Sequence, residues 1–170
     1  FANALAENYN VQINYALIDY KDIEDDGENT TNVVTNGSSN WFSTTDDFLG
    51  RVKALTTGGG GDSPESAVDA LDTARRLDYR SSANKFIILI TDADYKIANN
   101  YGIASMEEES QLLKEAEINT SVVTSSSYKE RYRTVYETTG GLYADISSDF
   151  STTLMSLADL IGENVSNGTW

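Results

Sequence analysis

The sequence contains no cysteine and no histidine among its 170 residues. Without cysteine there is no disulfide framework, no thiolate metal site and no cysteine nucleophile. Without histidine the chain lacks the commonest general base and the usual zinc ligand. A Ser-His-Asp or Cys-His catalytic site is therefore excluded within this chain. Any bound metal has to be held by oxygen atoms, which favours Mg²⁺, Ca²⁺ or Mn²⁺.

Basic residues are scarce: 12 Lys and Arg stand against 27 Asp and Glu, for a formal net charge of −15. This balance disfavours nucleic acid and anionic membrane surfaces as partners and leaves cations and basic surfaces. No stretch approaches the roughly 18 to 20 apolar residues that span a bilayer, so membrane insertion is not expected. The length and the 39% of hydrophobic residues predict one domain over residues 1–170.

Apolar periodicity and turn residues predict strands alternating with helices. The predicted strands are 11–20, 86–91, 119–124 and 142–146, with a hairpin or edge strand at 33–34 and 41–43 around Asn36-Gly37-Ser38. The predicted helices are 46–55, 64–78, 106–116, 128–138 (closed by Gly140-Gly141) and 150–164. Because strand 86–91 is continuously apolar, it is expected to be buried on both faces. The alternation indicates an α/β fold with a parallel sheet covered by helices.

A glycine-rich loop, residues 58–61, precedes Asp62, Ser63, Pro64 and Glu65. Ser63 and Pro64 predict an N-cap and a helix that begins at Pro64. Asp62 and Glu65 would then flank the positive end of the helix dipole, where they either share a hard cation or only balance the helix charge. The loop resembles a phosphate cradle in its glycines, but it lacks the Lys and Ser/Thr of a P-loop, which disfavours an enzyme of that kind.

Strand 86–91 ends in Asp92-Ala93-Asp94. Ligands of open parallel sheets bind outside the carboxyl ends of the strands, so Asp92 is either a site residue or a loop aspartate that caps the next turn. A separate acidic segment, 22–27, imitates the opening of an EF-hand loop. Its twelfth position is Val33 rather than the required Glu, which favours a solvated surface loop.

Three blocks resemble the von Willebrand factor A domain of secreted bacterial proteins and integrin β subunits. They are residues 15–22 (YALIDYKD), residues 58–65 (GGGGDSPE) with Ala70-Leu71, and residues 88–93 (ILITDA). Residues 139–143 (TGGLY) also fit the family pattern. The resemblance implies a Rossmann-like, doubly wound, mostly parallel sheet flanked by helices.

In that family a divalent cation lies at the top of the sheet, and a carboxylate of the bound partner completes its shell. The resemblance implies that Glu65 and Asp92 are metal-site residues. It also implies that Asp62, with the Pro64 carbonyl, belongs to an adjacent second cation site, while Asp94 and Asp22 are weaker candidates. The expected ion is Mg²⁺, Mn²⁺ or Ca²⁺.

The sequence departs from the family in lacking a first strand that ends in Asp-x-Ser-x-Ser. That central strand would precede Phe1, so the domain is expected to be N-terminally incomplete. Three explanations stay open: further chain upstream, a strand donated by another chain or copy, or cleavage before Phe1. Because the motif supplies three ligands, we expect a cation to be weakly held or absent, and the metal position to be empty or distorted.

These expectations combine into a non-enzymatic, metal-ion-dependent adhesion or protein-binding module. Its cation would bridge to an acidic group of a protein partner, and family habit and acidity place it on an extracellular surface protein. The alternative is a structural spacer or assembly unit of a surface protein or pilus, with a vestigial metal site.

Overall fold

The computed structural model describes residues 12–26, 30–56, 58, 64–148, 152, 155–159 and 161–162. The chain forms two compact units. We call Ile18–Asn32 and Gly58–Ser148 the sheet unit, and Phe1–Leu17, Val33–Thr57 and Asp149–Trp170 the second unit. The single domain expected over residues 1–170 stays a prediction.

The described helices and strands alternate along most of the chain. The strands are β1 (Ile18–Asp19), β2 (Asn32–Val33), β3 (Lys85–Ile90), β4 (Ile118–Thr124) and β5 (Tyr143–Asp145). The helices are α1 (Ile23–Asp26), α2 (Thr45–Lys53), α3 (Ala67–Arg75), α4 (Met106–Glu115) and α5 (Arg133–Thr139), with a 3₁₀ turn at Ser126–Tyr128. None of the described helices is long and apolar enough to cross a membrane.

The sheet unit contains a parallel three-stranded sheet in the order β3-β4-β5. Lys85 lies opposite Ile118 at the start of the first pair, and Thr124 lies opposite Asp145 at the end of the second. Helices α4 and α5 pack against β4, and α3 packs against α4. This arrangement confirms the predicted α/β fold with a parallel sheet flanked by helices.

Burial of the strands differs from the prediction. Strand β3 was expected to be buried on both faces, but most of its residues are only half-buried and Ile90 is 47% exposed. Every residue of β4 is buried instead. The reason is position, because β4 has a neighbour on each side whereas β3 pairs with one strand among the described residues.

The buried strand β4 is unexpectedly polar, and hydrogen bonds connect several of its polar groups to neighbouring segments. The Asn119 amide donates to the Gly140 carbonyl at 2.7 Å. The Thr120 backbone N–H donates to the Thr139 hydroxyl at 3.0 Å, and the Leu142 N–H donates to Ser121 Oγ at 3.1 Å. The C-terminal end of α5 and the segment before β5 are therefore hydrogen-bonded to polar residues of β4.

One hydrophobic core fills the sheet unit. It joins α3, β3, α4, β4 and α5 with the segments between them. Its buried members are Ala67, Val68, Leu71, Leu89, Tyr95, Ile103, Met106, Leu113, Ile118, Val122, Tyr132, Val135 and Tyr136. Within α3, the apolar residues Ala67, Val68, Leu71 and Ala74 are all buried.

Helix α3 begins at Ala67 rather than at Pro64, which corrects the predicted start. The physical reason lies in the backbone of Glu65, which forms a parallel bridge with Tyr95. A residue paired in this way cannot also take part in the first helical turn. Ser66 is the N-cap residue, and Glu65 lies ahead of the helix rather than in its first turn.

The second unit is organised around aromatic side chains. Tyr15 and Phe42 form an antiparallel bridge and are both buried, and Phe48 of α2 stacks on Tyr15 at 4.8 Å between ring centroids. The expected tight turn is present, with Asn36 and Ser39 exchanging backbone hydrogen bonds. Its flanks were predicted to form a hairpin or an edge strand, and the backbone bonds are not those of a hairpin between them, because Phe42 binds Tyr15 and Val34 binds Leu17.

The other predicted elements agree with the observed ones to different degrees. Helix α4 matches its prediction within one residue, and α2 begins after the Thr44 N-cap, whose side chain accepts from the Asp47 N–H. The predicted helix 128–138 is instead a 3₁₀ turn followed by α5, which ends at Gly140 with a φ of 74°. Of the predicted strand 11–20, only Ile18–Asp19 is a strand, and residue 11 lies outside the described residues. Residues 155–159 and 161–162 of the predicted last helix are helical.

Candidate functional site

Three segments of the sheet unit meet at the carboxyl end of β3. We call residues 20–24, 64–66 and 91–96 the acidic edge. The Glu65 N–H donates to the Asp94 carbonyl at 3.0 Å, and the Lys96 N–H donates to the Glu65 carbonyl at 2.8 Å. The Ser66 N–H donates to the Lys21 carbonyl at 3.3 Å. These bonds bring Glu65, which precedes α3, beside the residues that follow β3.

Two predicted metal-site residues, Glu65 and Asp92, both raise the pKa of the buried Tyr20 hydroxyl. The pKa of Tyr20 is raised to about 12, chiefly by burial, and the negative charges of Glu65 and Asp92 add to the rise while the Thr91 hydroxyl opposes it. Glu65 is half-buried and Asp92 is exposed. The two carboxylates therefore both lie near Tyr20. This is the carboxyl end of β3, where the sequence predicted the site.

Asp22 is engaged by a lysine. Its side chain is fully buried, and Lys96 Nζ contacts one of its carboxylate oxygens. The other oxygen accepts from the Glu24 N–H at 2.9 Å and from Ser66 Oγ at 3.4 Å. The acidic segment that imitates an EF-hand opening thus begins a short helix, α1, with Asp22 in an internal ion pair and Glu24, Asp25 and Asp26 exposed.

Asp94 is engaged by an arginine. Arg131 Nε donates to the two Asp94 oxygens at 2.8 and 3.0 Å. The guanidinium also lies over the Tyr95 ring at 4.4 Å from the centroid. Asp94 Oδ1 accepts from the Tyr95 N–H at 2.7 Å. The charge of Asp94 is therefore balanced by Arg131 in this arrangement.

The tyrosine that packs behind the acidic edge fixes the backbone between the two acids. The Tyr132 hydroxyl donates to the Ala93 carbonyl at 3.1 Å, and its ring meets Tyr95 edge to face at 5.3 Å. Burial raises the pKa of Tyr132 well above its ordinary value, so this donor keeps its proton. The turn after β3 is consequently fixed by a hydrogen bond from the neutral Tyr132 side chain.

The third predicted site residue, Asp62, lies outside the described residues, as does most of the glycine-rich loop. Pro64, whose carbonyl was expected beside Asp62, is half-buried. Within the described residues no group of three or more acidic side chains is arranged to hold a metal ion. The metal-site role of Glu65, Asp92 and Asp62 stays a prediction.

Sequence reasoning missed the basic residues of this site. Lys96 and Arg131 balance Asp22 and Asp94, and Ser66 connects Asp22 to the start of α3. Lys96 carried no local signal, since its partner Asp22 lies 74 residues earlier in the chain. Arg131 carried no such signal, since it comes 37 residues after Asp94 and only the tertiary fold brings them together.

The sequence was compared with known proteins. The family model described as the von Willebrand factor A domain matches residues 6–159, which covers nearly the whole chain. No curated protein matches the sequence.

Proposed function

Since this chain belongs to the von Willebrand factor A domain family, it is a protein-interaction module, and we propose that it binds its partner through a divalent cation at the acidic edge. Domains of this family are typically non-enzymatic. The cation, Mg²⁺, Mn²⁺ or Ca²⁺, bridges Glu65 and Asp92 to an acidic group on a protein partner. The module serves adhesion or recognition on an extracellular surface protein.

The observation that carries this proposal is the placement of Glu65 and Asp92 at the carboxyl end of β3, where the backbone of Glu65 pairs with the segment that follows the strand. Asp22 and Asp94 are neutralised by Lys96 and Arg131. Asp92 is exposed at the same end of the sheet, and the negative charges of Asp92 and Glu65 both raise the pKa of Tyr20. Asp92 and Glu65 therefore offer a cation at this end one exposed and one half-buried carboxylate.

Glu65 and Asp92 carry the type of ligand atom that a hard cation prefers, but they supply few ligands. Carboxylate oxygens are the ligands that Mg²⁺ and Ca²⁺ prefer, and these ions take six or more oxygens. Glu65 and Asp92 provide two side chains, and no third described acid joins them in a metal-binding arrangement. Water, Asp62 and the carboxylate of the partner would have to supply the rest, which supports the expectation of weak binding by this chain alone.

Mn²⁺ titration followed by electron paramagnetic resonance tests the proposal directly. We expect saturable binding of about one Mn²⁺ with a dissociation constant in the range of about 10⁻⁴ to 10⁻³ M, as for sites with few charged ligands. Glu65→Ala and Asp92→Ala should each weaken it at least about tenfold, since each removes a charged ligand. Glu137→Ala, which removes an exposed acid of α5, is the matched control and should leave binding unchanged.

A second measurement addresses the partner. Immobilised peptides that carry one Asp or Glu should retain the chain in Mn²⁺ and release it in EDTA, and the matching Asn or Gln peptides should not retain it. Retention that EDTA leaves unchanged would contradict a cation bridge.

The alternative function, a structural spacer or assembly unit, is favoured by one observation. No three described acids form a metal-binding group. The double variant Glu65→Ala with Asp92→Ala separates the two functions, because a spacer would keep its binding to the other parts of its assembly and an adhesion module would lose its partner.

A further inference from the structure

Lys96 makes two kinds of contact at the acidic edge, one through its side chain and one through its backbone. Its ammonium contacts Asp22 and lies 3.4 Å from a Glu24 carboxylate oxygen. Its backbone N–H donates to the Glu65 carbonyl at 2.8 Å. One residue thus connects the segment after β1, the segment before α3 and the segment after β3.

The side-chain contact is needed because Asp22 is fully buried. An ionised carboxylate in the interior costs several kcal/mol unless a partner and hydrogen bonds compensate it. Lys96 supplies the charge, and its side chain is itself only 16% exposed. Glu24 N–H and Ser66 Oγ supply hydrogen bonds to the other oxygen.

Ser66 extends this network to Glu65. Besides donating to Asp22, Ser66 Oγ accepts from the Ile23 N–H at 3.0 Å, and the Ser66 N–H donates to the Lys21 carbonyl. Glu65, the residue before Ser66, is held on its other side by the Asp94 carbonyl and the Lys96 N–H. The backbone of Glu65 is therefore bonded to Lys96, the residue whose ammonium pairs with Asp22, and is followed directly by Ser66, which is bonded to Asp22.

We infer that Lys96 is the positioning residue of the proposed cation site, which fixes Glu65 through the buried ion pair with Asp22. The inference rests on the proposed function for the identity of the site. Lys96 touches neither cation nor partner. Its ammonium pairs with Asp22 and Glu24, so these two acids do not bind the cation. The ion pair of Lys96 with Asp22 fixes the position of the Glu65 carboxylate.

Two opposite effects make the role of Lys96 measurable. Removing a positive charge near Glu65 would by electrostatics alone strengthen the binding of a cation. Loss of positioning would weaken it. Lys96→Met keeps most of the side-chain length and the backbone N–H but removes the charge, so the sign of the change in Mn²⁺ affinity separates the two effects.

Hydrogen exchange measured in EDTA tests the positioning without any metal. In Lys96→Met we expect the amides of Glu65, Ser66 and Lys96 to exchange at least about tenfold faster, as local opening becomes easier. The amide of Ala116, which donates to the Leu112 carbonyl at the end of α4, should keep its rate. Lys96→Arg retains a cation for Asp22 and should stay close to the wild type.

A double variant covers the case in which Lys96→Met fails to fold. Lys96→Met with Asp22→Asn removes both charges, so no uncompensated carboxylate is left inside, and the amides of Glu65 and Ser66 should still exchange faster than in the wild type. Wild-type rates in this double variant, or equal acceleration at Ala116, would overturn the inference.

The Mn²⁺ measurement completes the test. Where the wild type binds Mn²⁺, Lys96→Met should weaken binding by at least about threefold, and tighter or unchanged binding would overturn the positioning role. Absence of Mn²⁺ binding by the wild type would overturn the proposed function instead, and the exchange rates in EDTA would still decide the role of Lys96.

Discussion

Glu109 on α4 should make the stability of the sheet unit fall as the pH rises toward neutrality. Its side chain is fully buried, and its Oε1 accepts from Arg75 Nε at 3.1 Å. Arg75 is shared with the buried Asp72, which also contacts Arg76. Glu109 Oε2 has no hydrogen-bond partner among the described residues. The α3–α4 contact thus encloses two buried carboxylates and one half-buried guanidinium.

The pKa of Glu109 is raised from 4.5 to about 7, first by burial; Arg75 opposes the rise and Asp72 adds to it. The other elements that pack against α4 add no nearby charge, because β4 has no titratable side chain, and Arg133 and Glu137 of α5 are exposed. The folded protein therefore holds a proton that the unfolded chain releases above about pH 4.5. This contribution is fully present below pH 4.5 and is lost as the pH rises to about 7, at about 2 to 3 kcal/mol in total.

Glu109→Gln imitates the protonated side chain and should remove this pH dependence. Relative to the wild type, the variant should be about equally stable at pH 4.5 and about 2 to 3 kcal/mol more stable at pH 8, which is roughly 4 to 12 °C in the unfolding midpoint. Urea and thermal unfolding at the two pH values measure the difference.

Glu107→Gln, an exposed residue of the same helix, is the matched control and should behave alike at both pH values. A difference between Glu109→Gln and the wild type that is the same at pH 4.5 and pH 8 would refute this reasoning, and so would a gain confined to acid. An equal difference would mean that folding leaves the pKa of Glu109 unshifted, and a gain confined to acid would mean that folding lowers this pKa.

Three further predictions concern single positions. Gly141→Ala would place its Cβ 2.0 Å from the Thr120 carbonyl oxygen, so we expect a loss of at least about 2 kcal/mol or no folded protein, judged by thermal unfolding. Gly50→Ala, inside α2 with open space around it, should instead stabilise by about 0.5 to 1 kcal/mol, and destabilisation there would contradict the helix assignment. Tyr132→Phe removes the buried donor to Ala93 and should cost about 1 to 3 kcal/mol, and an unchanged urea midpoint would show that the hydrogen bond contributes nothing.

Local sequence signals predicted the types of most elements. Helix α4 was predictable because Ser105 caps it, Glu108 follows three residues later, and apolar residues recur on one face. The end of α5 was predictable because Gly140 supplies the left-handed conformation. The parallel sheet followed from the alternation of strands and helices.

Long-range pairing produced the errors. The start of α3 was misplaced because Ser63 and Pro64 form a good local signal, while the backbone of Glu65 pairs with Tyr95, thirty residues away. The wholly buried strand was misassigned for a similar reason. Strand 86–91 has the more apolar sequence, but the central place in the sheet went to the polar β4, whose hydrogen bonds no local pattern reveals.

The sequence by itself determined which chemistry is excluded and at which end of the sheet the acids gather. Absence of cysteine and histidine limits metal ligands to oxygen, and the position of Asp92 follows from the end of an apolar strand. Only the tertiary structure decided which acids are neutralised. Asp22 meets Lys96 across 74 positions and Asp94 meets Arg131 across 37, and such pairs depend on how the whole chain packs rather than on spacing along it.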